Sequence, residues 1–181
     1  MSAPATAEDA LTARAARVRL VAFDVDGVMT NGQLILGPGG EELKIFNVRD
    51  GHGLVMLRES GLQVAVITGR RSQVVAERMA ELGIEHVYQG QRDKTAALAD
   101  LLARLEIGEA DTCYMGDDLP DVPVLRRVGL PATVADGHPQ CVAAAAWRAS
   151  FGGGAGAVRE LCEFILAAQG KLAAHYAAYD R

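Results

Sequence analysis

Short apolar runs alternate with helix-length stretches along most of this chain, and that alternation leaves few folds open. VRLVAFDV (18–25), LQVAVIT (62–68), EHVYQG (85–90), DTCYMGD (111–117) and LPATVAD (130–136) have the length and composition of buried strands. Between them, GHGLVMLRESG (51–61), RSQVVAERMAELG (71–83), DKTAALADLLARLEIG (93–108) and PDVPVLRRVG (120–129) read as helices. Gly61 and Gly83 close the first two, Asp93 is placed to cap the third, and Pro120 opens the fourth. A last helix is predicted over 156–172, with Val158, Leu161, Cys162, Ile165 and Leu166 on one face. One segment breaks the alternation. QLILG (33–37), PGGE and ELKIFNV (42–48) read as a β-hairpin turning at Pro38-Gly39-Gly40. Strands alternating with helices imply a parallel sheet covered on both faces. The predicted class is therefore α/β, a Rossmann-like parallel sheet with helices on both faces and a protruding hairpin over 33–48. Residues 1–17 read as an Ala-rich arm, and 18–181 as one domain ending in a helix and tail over 156–181.

Composition narrows the function classes. Of 181 residues, 50% are hydrophobic and 23% charged, enough for a packed core. The net charge of −5 argues against a nucleic-acid partner, which calls for a basic patch. No apolar run reaches the roughly 20 residues of a membrane span, and no membrane partner is expected. Glu8 and Asp9 interrupt the N-terminal stretch, which does not read as a signal peptide. Cys113, Cys141 and Cys162 are odd in number and form no CxxC pair, so they read as buried thiols of a cytoplasmic protein.

In parallel sheets the ligand site lies beyond the carboxyl ends of the strands. Four such ends carry polar clusters here. Asp24-Val25-Asp26-Gly27 places two carboxylates two positions apart, able to face one way where the chain is extended. Such a pair calls for a cation, or for one carboxyl to take up a proton. Alone it reads equally well as a solvated loop. Thr68-Gly69-Arg70 offers a hydroxyl and a backbone N–H to an anionic oxygen, although an ordinary helix cap explains it as well. Lys94 opposes the dipole at a helix start, a small penalty that many surface lysines tolerate. Asp117, Asp118 and Asp121 cluster after the fourth strand and suit a hard cation. Together they form an inventory for phosphoryl transfer: a carboxylate nucleophile, an acid/base carboxyl, Mg2+, and donors for the phosphoryl oxygens.

The four clusters, in this order and spacing from Val18 to Val134, resemble the motifs of the haloacid dehalogenase-like phosphatase superfamily. The resemblance implies Asp24 as the group attacking phosphorus and Asp26 as the acid, then the base. It implies Mg2+ held by the Asp24 carboxylate, the Asp26 backbone carbonyl and Asp117. Thr68 and Lys94 would hold the phosphoryl oxygens, Asp118 would support the metal through its waters, and Asp121 would orient Lys94. FDVDGVMTNG, KIFNVRDGHGL, GDDLPDVPVL and GGGAGAVRELCEFILAAQGKL are similar, more closely, to the phosphatases of 3-deoxy-D-manno-octulosonate (KDO) 8-phosphate, which serve lipopolysaccharide synthesis. Asn31 and Met29 depart from that pattern, where Asp and Leu are usual. Nine-carbon sugar-acid phosphatases and a non-catalytic oligomerisation module fused to cytidylyltransferases are related alternatives.

The intervals from Asp24 to Thr68 and from Thr68 to Lys94 are consumed by the hairpin, two helices and strands, so no lid domain fits. Phosphoryl transfer gains from excluding water. The resemblance implies that a neighbouring subunit supplies the wall, in a homotetramer built through the hairpin 33–48. A small-molecule sugar-acid phosphate carries a carboxylate, which an arginine fork suits. Arg49, Arg70 and Arg78 are candidates, with Gly69 offering its N–H and Asn47 and Asp50 facing sugar hydroxyls. Arg78 reads more readily as a surface residue. Gly152–Gly156 reads either as a hinge for a tail reaching a neighbour's site or as a flexible linker. The histidines are too scattered for a metal site, and Trp147 reads as packing.

Overall fold

Strand β1 (Leu20–Phe23) lies at the middle of a six-stranded, all-parallel sheet. On one side follow β4 (Gln63–Ile67) and β5 (His86–Tyr88); on the other, β6 (Thr112–Gly116), β7 (Leu130–Thr133) and β8 (Trp147–Arg148). The computed structural model describes residues 6–180. The chain leaves β1, fills the β4 side, and crosses back to β6. That reversal makes the carboxyl end of β1 a switch point, where α/β sheets open a crevice.

Period-two alternation sorts the sheet's side chains onto two cores. Val21, Phe23, Val64 and Val66 pack with α2 (Val48–Glu59), α3 (Gln73–Glu81) and α7 (Ala157–Ala168). Leu20, Ala22, Ala65 and Ile67 pack with α4 (Lys94–Leu105) and α5 (Val122–Leu125) on the other face. α7 carries the predicted apolar stripe, with Val158, Leu161, Cys162, Ile165 and Leu166 all fully buried. All three cysteines are buried and free. The predicted arm is helical where described: Thr6 caps α1 (Ala7–Ala16), and Ala15 is buried in the core that α7 shares. Residues 1–5 and 181 lie outside the described residues. Among those described, no helix is long and apolar enough to cross a membrane.

The structure departs from the sequence reading in four places. The sheet has six strands where five were expected. β8 has two residues and follows α6 (Pro139–Ala144), an Ala-rich turn of helix without a periodic apolar face. The hairpin ladder is short, with β2 (Ile35–Leu36) paired only to β3 (Glu42–Leu43). The predicted second strand ran to Val48. Instead, Lys44 turns back to the sheet and Asn47 caps α2, pulling both residues out of the ladder. The helix expected over 120–129 is a 3-10 turn at Leu119–Asp121 followed by the four residues of α5. Beyond α7 the chain turns and adds α8 (Leu172–Ala177), folded back on the domain through a 2.7 Å contact between His175 Nε2 and Ser60 Oγ.

Candidate active site

Asp24 stands one residue past β1 and keeps the strand's register, its N–H donating to Met115 O at 3.0 Å. Its side chain is nearly buried. Oδ1 accepts the Val25 N–H at 2.7 Å, and Oδ2 accepts Lys94 Nζ at 2.6 Å. Lys94 begins α4, behind the Asp93 cap, and also donates to Asp121 Oδ1 at 2.6 Å. Burial works against the ammonium, but Asp24 and Asp121 outweigh it and hold its pKa above the ordinary lysine value. The two carboxylates thus offset the unfavourable dipole at this helix start.

Asp121 is fully buried, and donors meet both of its oxygens. Besides Lys94, Tyr114 OH donates to Oδ1 at 2.6 Å, and the N–H groups of Asp117 and Asp118 donate to Oδ2 at 3.0 and 3.2 Å. Asp121 therefore clamps the loop after β6 around Lys94. Asp117 differs, because its Oδ1 is buried without a hydrogen-bond partner. Gly27 permits this approach: at φ +90°, a Cβ there would lie 2.0 Å from Asp117 Oδ2.

Carboxylate oxygens of Asp24, Asp117 and Asp121 lie within 4.8 Å of one another. Burial, then Asp121, pushes the Asp24 carboxyl up to about 6. Burial, then Asp121 and Asp24, pushes Asp117 up to about 7. A divalent cation there would relieve that repulsion and satisfy the orphaned oxygen. The donors are oxygens, which is Mg2+ chemistry, and Mg2+ needs only one or two carboxylates if it keeps several waters. Asp24 and Asp117 fit that role. Asp121, already saturated, does not.

These groups floor a cleft of about 540 Å3. Thr68, Gly69 and Arg70 line one wall, with Gln91 and Arg92 beside them; Asp118 and Pro120 line the opposite lip. Asp26 lines the cleft too, its Oδ1 bonded to Lys44 of the hairpin. Nine predicted site residues are thus brought together: Asp24, Asp26, Thr68, Gly69, Arg70, Lys94, Asp117, Asp118 and Asp121.

Three predicted substrate residues do not line this cleft. Asn47 caps α2 through the Arg49 N–H at 2.9 Å and donates to Gly154 O at 3.2 Å. Arg49 is exposed in the first turn of α2 and does not line the cleft. Arg78 lies against Gly51 and pairs with Glu81 at 2.7 Å. Asp50, read as a sugar-hydroxyl partner, is buried and accepts the Gly156 and Arg159 N–H groups at 3.3 and 2.9 Å, capping α7. The glycines before α7 are closely packed. A Cβ on Gly153 would lie 1.9 Å from Gly27 O, so this segment is pressed against the loop behind Asp26. Asn31 turns to Gln33 in a local hydrogen-bonded turn. Trp147 is packing, stacked on Phe164 at 5.8 Å.

Sequence reasoning missed Lys44, Tyr114, Gln91 and Arg92. Two of these left a signal. Glu42 and Lys44, opposite charges two apart in a strand, share a side, and a tyrosine in an otherwise apolar buried strand needs a partner for its hydroxyl.

A family model for haloacid dehalogenase-like hydrolases matches residues 85–151. The 3-deoxy-D-manno-octulosonate 8-phosphate phosphatase KdsC of Escherichia coli K12 is 49% identical over 160 residues, 88% of this chain and 85% of that protein. The crystal structure of the phosphatase of the same name from Yersinia pestis superposes with a TM-score of 0.90 at 50% identity, covering 91% of this chain and 89% of the other. That from Moraxella catarrhalis, in complex with magnesium, phosphate and KDO, gives 0.92 at 43% identity, covering 94% and 98%. By identity across most of both lengths, and by fold, this chain belongs to the 3-deoxy-D-manno-octulosonate 8-phosphate phosphatase family of haloacid dehalogenase-like hydrolases.

Proposed function

We propose that this chain is a Mg2+-dependent phosphomonoester hydrolase of KDO 8-phosphate, working in the cytoplasm in lipopolysaccharide precursor synthesis. The observation that carries the reading is the Asp24–Lys94–Asp121 cluster at the switch point, beside the orphaned Asp117 oxygen. Asp24 attacks phosphorus, forming an aspartyl-phosphate as the sugar–oxygen leaves. Asp26 gives that oxygen its proton, then takes a proton from the water that hydrolyses the aspartyl-phosphate. Lys94 and Thr68 hold the phosphoryl oxygens. The carboxylates of Asp24 and Asp117 and the Asp26 carbonyl would hold Mg2+, with Asp118 supporting it through water. Bound there, Mg2+ supplies charge against the phosphoryl oxygens. Asp121 orients Lys94. Gly69 and Arg70 meet the sugar acid, the guanidinium of Arg70 facing its carboxylate.

The cleft lacks a lid from its own chain among the described residues. The hairpin exposes Leu34, Ile35, Leu36, Leu43 and Ile45, with Val48 beside them. These two facts support a homotetramer built through 33–48, in which a neighbour covers the cleft. The deciding experiment measures phosphate release from KDO 8-phosphate and from a nine-carbon sugar-acid 9-phosphate, with Mg2+ or chelator and with Asp24→Asn. Preference for KDO 8-phosphate, lost with chelator and in Asp24→Asn, is expected. Preference for the nine-carbon substrate moves the pathway and keeps the chemistry. Release from neither overturns the catalytic assignment.

A further inference from the structure

The hairpin sends two charged side chains back to the cleft, and they close a ring with two groups already there. Lys44 Nζ bonds Asp26 Oδ1 and lies 3.3 Å from Glu42 Oε1. Arg70 Nη2 bonds the same Glu42 oxygen at 3.1 Å, and Arg70 Nε lies 3.8 Å from Asp26 Oδ2. Asp26, Lys44, Glu42 and Arg70 thus alternate in sign around a closed loop.

Asp26 needs such support more than its neighbours do. Backbone N–H groups fix the carboxylates of Asp24 and Asp121. Among the described residues, no backbone N–H reaches the Asp26 carboxylate; its hydrogen-bond partner is Lys44. That lysine cannot wander. Its side chain is only 1% exposed, against 21% for Asp26, and Glu42 holds it from the other side. Lys44 occupies Oδ1 and leaves Oδ2 on the side of Arg70, which lines the cleft.

We propose that Lys44 is a positioning residue for Asp26: it fixes the carboxylate so that Oδ2 faces the leaving oxygen, and so ties proton transfer to the seating of the hairpin. This rests on the reading of Asp26 as acid/base given above. The step served is the first one. The Asp24–phosphorus bond forms, the phosphorus–ester oxygen bond breaks, and the ester oxygen takes the Asp26 proton. A misdirected carboxylate slows that transfer without removing it.

Leaving groups separate this role from a merely structural one. A sugar alkoxide needs the proton as it departs, whereas a nitrophenolate leaves without it. The value of kcat/KM reports steps up to leaving-group departure. The measurement is therefore the ratio of kcat/KM for KDO 8-phosphate to that for 4-nitrophenyl phosphate, at saturating Mg2+. In Lys44→Met the ratio is expected to fall about tenfold or more, as it does further in Asp26→Asn. Circular dichroism and light scattering check that each variant folds and assembles like the parent. An unchanged ratio in folded Lys44→Met, with a collapsed ratio in Asp26→Asn, overturns the role of Lys44 and leaves Asp26 standing. An unchanged ratio in Asp26→Asn overturns the acid/base reading itself, and this inference with it. Should Lys44→Met not fold, Glu42→Gln carries the test. It frees Lys44 from one of its two carboxylates, and a fall of about threefold is expected. No fall there overturns the proposal.

Discussion

The cleft floor and the hairpin are built on opposite terms. On the floor, Asp24, Lys94, Tyr114 and Asp121 are buried, and strands or helix starts fix each of them. The hairpin has a two-pair ladder, exposed leucines and isoleucines, and ion pairs at its root. The floor is completed within one chain and cannot absorb a change in charge. The hairpin leaves its apolar face exposed. Residues of the floor should therefore be costly to alter in isolation, and those of the hairpin's exposed apolar face costly chiefly to assembly.

The largest effect tests the floor's charge. Lys94→Met leaves two buried carboxylates without their shared cation, and removing one partner of such a cluster costs about 3–5 kcal/mol. Urea unfolding in chelator at neutral pH measures it. A loss below about 1 kcal/mol would mean that the floor relaxes as easily as a surface.

The next effect is metal-linked. The raised carboxyls of Asp24 and Asp117 hold protons in the folded state that an unfolded chain releases near pH 4. The folded state binds more protons between about pH 4 and 7, so metal-free stability falls as pH rises through that window. A bound cation replaces those protons. At a hundred times its Kd, Mg2+ should raise Tm by about 5–10 °C at pH 8. At pH 5 the rise should be much smaller, and a pH-independent shift in calorimetry would contradict this account.

Tyr114→Phe removes one of Asp121's four donors and keeps the ring's volume. It should cost about 1 kcal/mol in urea unfolding, with Lys94 still paired. No cost would show the hydroxyl to be idle.

The smallest effect on the fold belongs to the hairpin. Leu36→Glu with Ile45→Glu should change the stability of the single chain by about 0.5 kcal/mol or less. Light scattering should nevertheless show the mass falling from a tetramer to one chain. An unchanged mass would place the assembly surface elsewhere and erase the contrast drawn here.

The floor was also the more legible region. DVDG, TGR, the lysine after Asp93 and GDDLPD carry their chemistry in consecutive letters at strand ends, so order and spacing reveal them. In sequence Lys44 is one more strand residue, because its partners, Asp26 and Glu42, are identified only once the hairpin folds back. Asp50 and Asn47 share a polar stretch that suits a ligand, yet they satisfy helix termini whose positions the local sequence does not disclose. Gly152–Gly156 looked like slack. Gly153 and Gly154 must be small because the backbone of 27–31 passes within contact, a relation between segments more than a hundred residues apart. β8 escaped because two residues carry no period.

The order of the sheet has a consequence for how the protein is made. Asp24 emerges from the ribosome early, but β6, its neighbour in the sheet, and the side chains of Lys94, Asp117 and Asp121 are synthesised much later. The backbone that presses on the loop behind Asp26 comes later still, at Gly153. A nascent chain that has reached only Asp24 therefore lacks Lys94, the acidic partners and the buttress. Competence for the proposed chemistry therefore waits for residues up to Gly153, and a chain cut before them is expected to be inert as well as unstable.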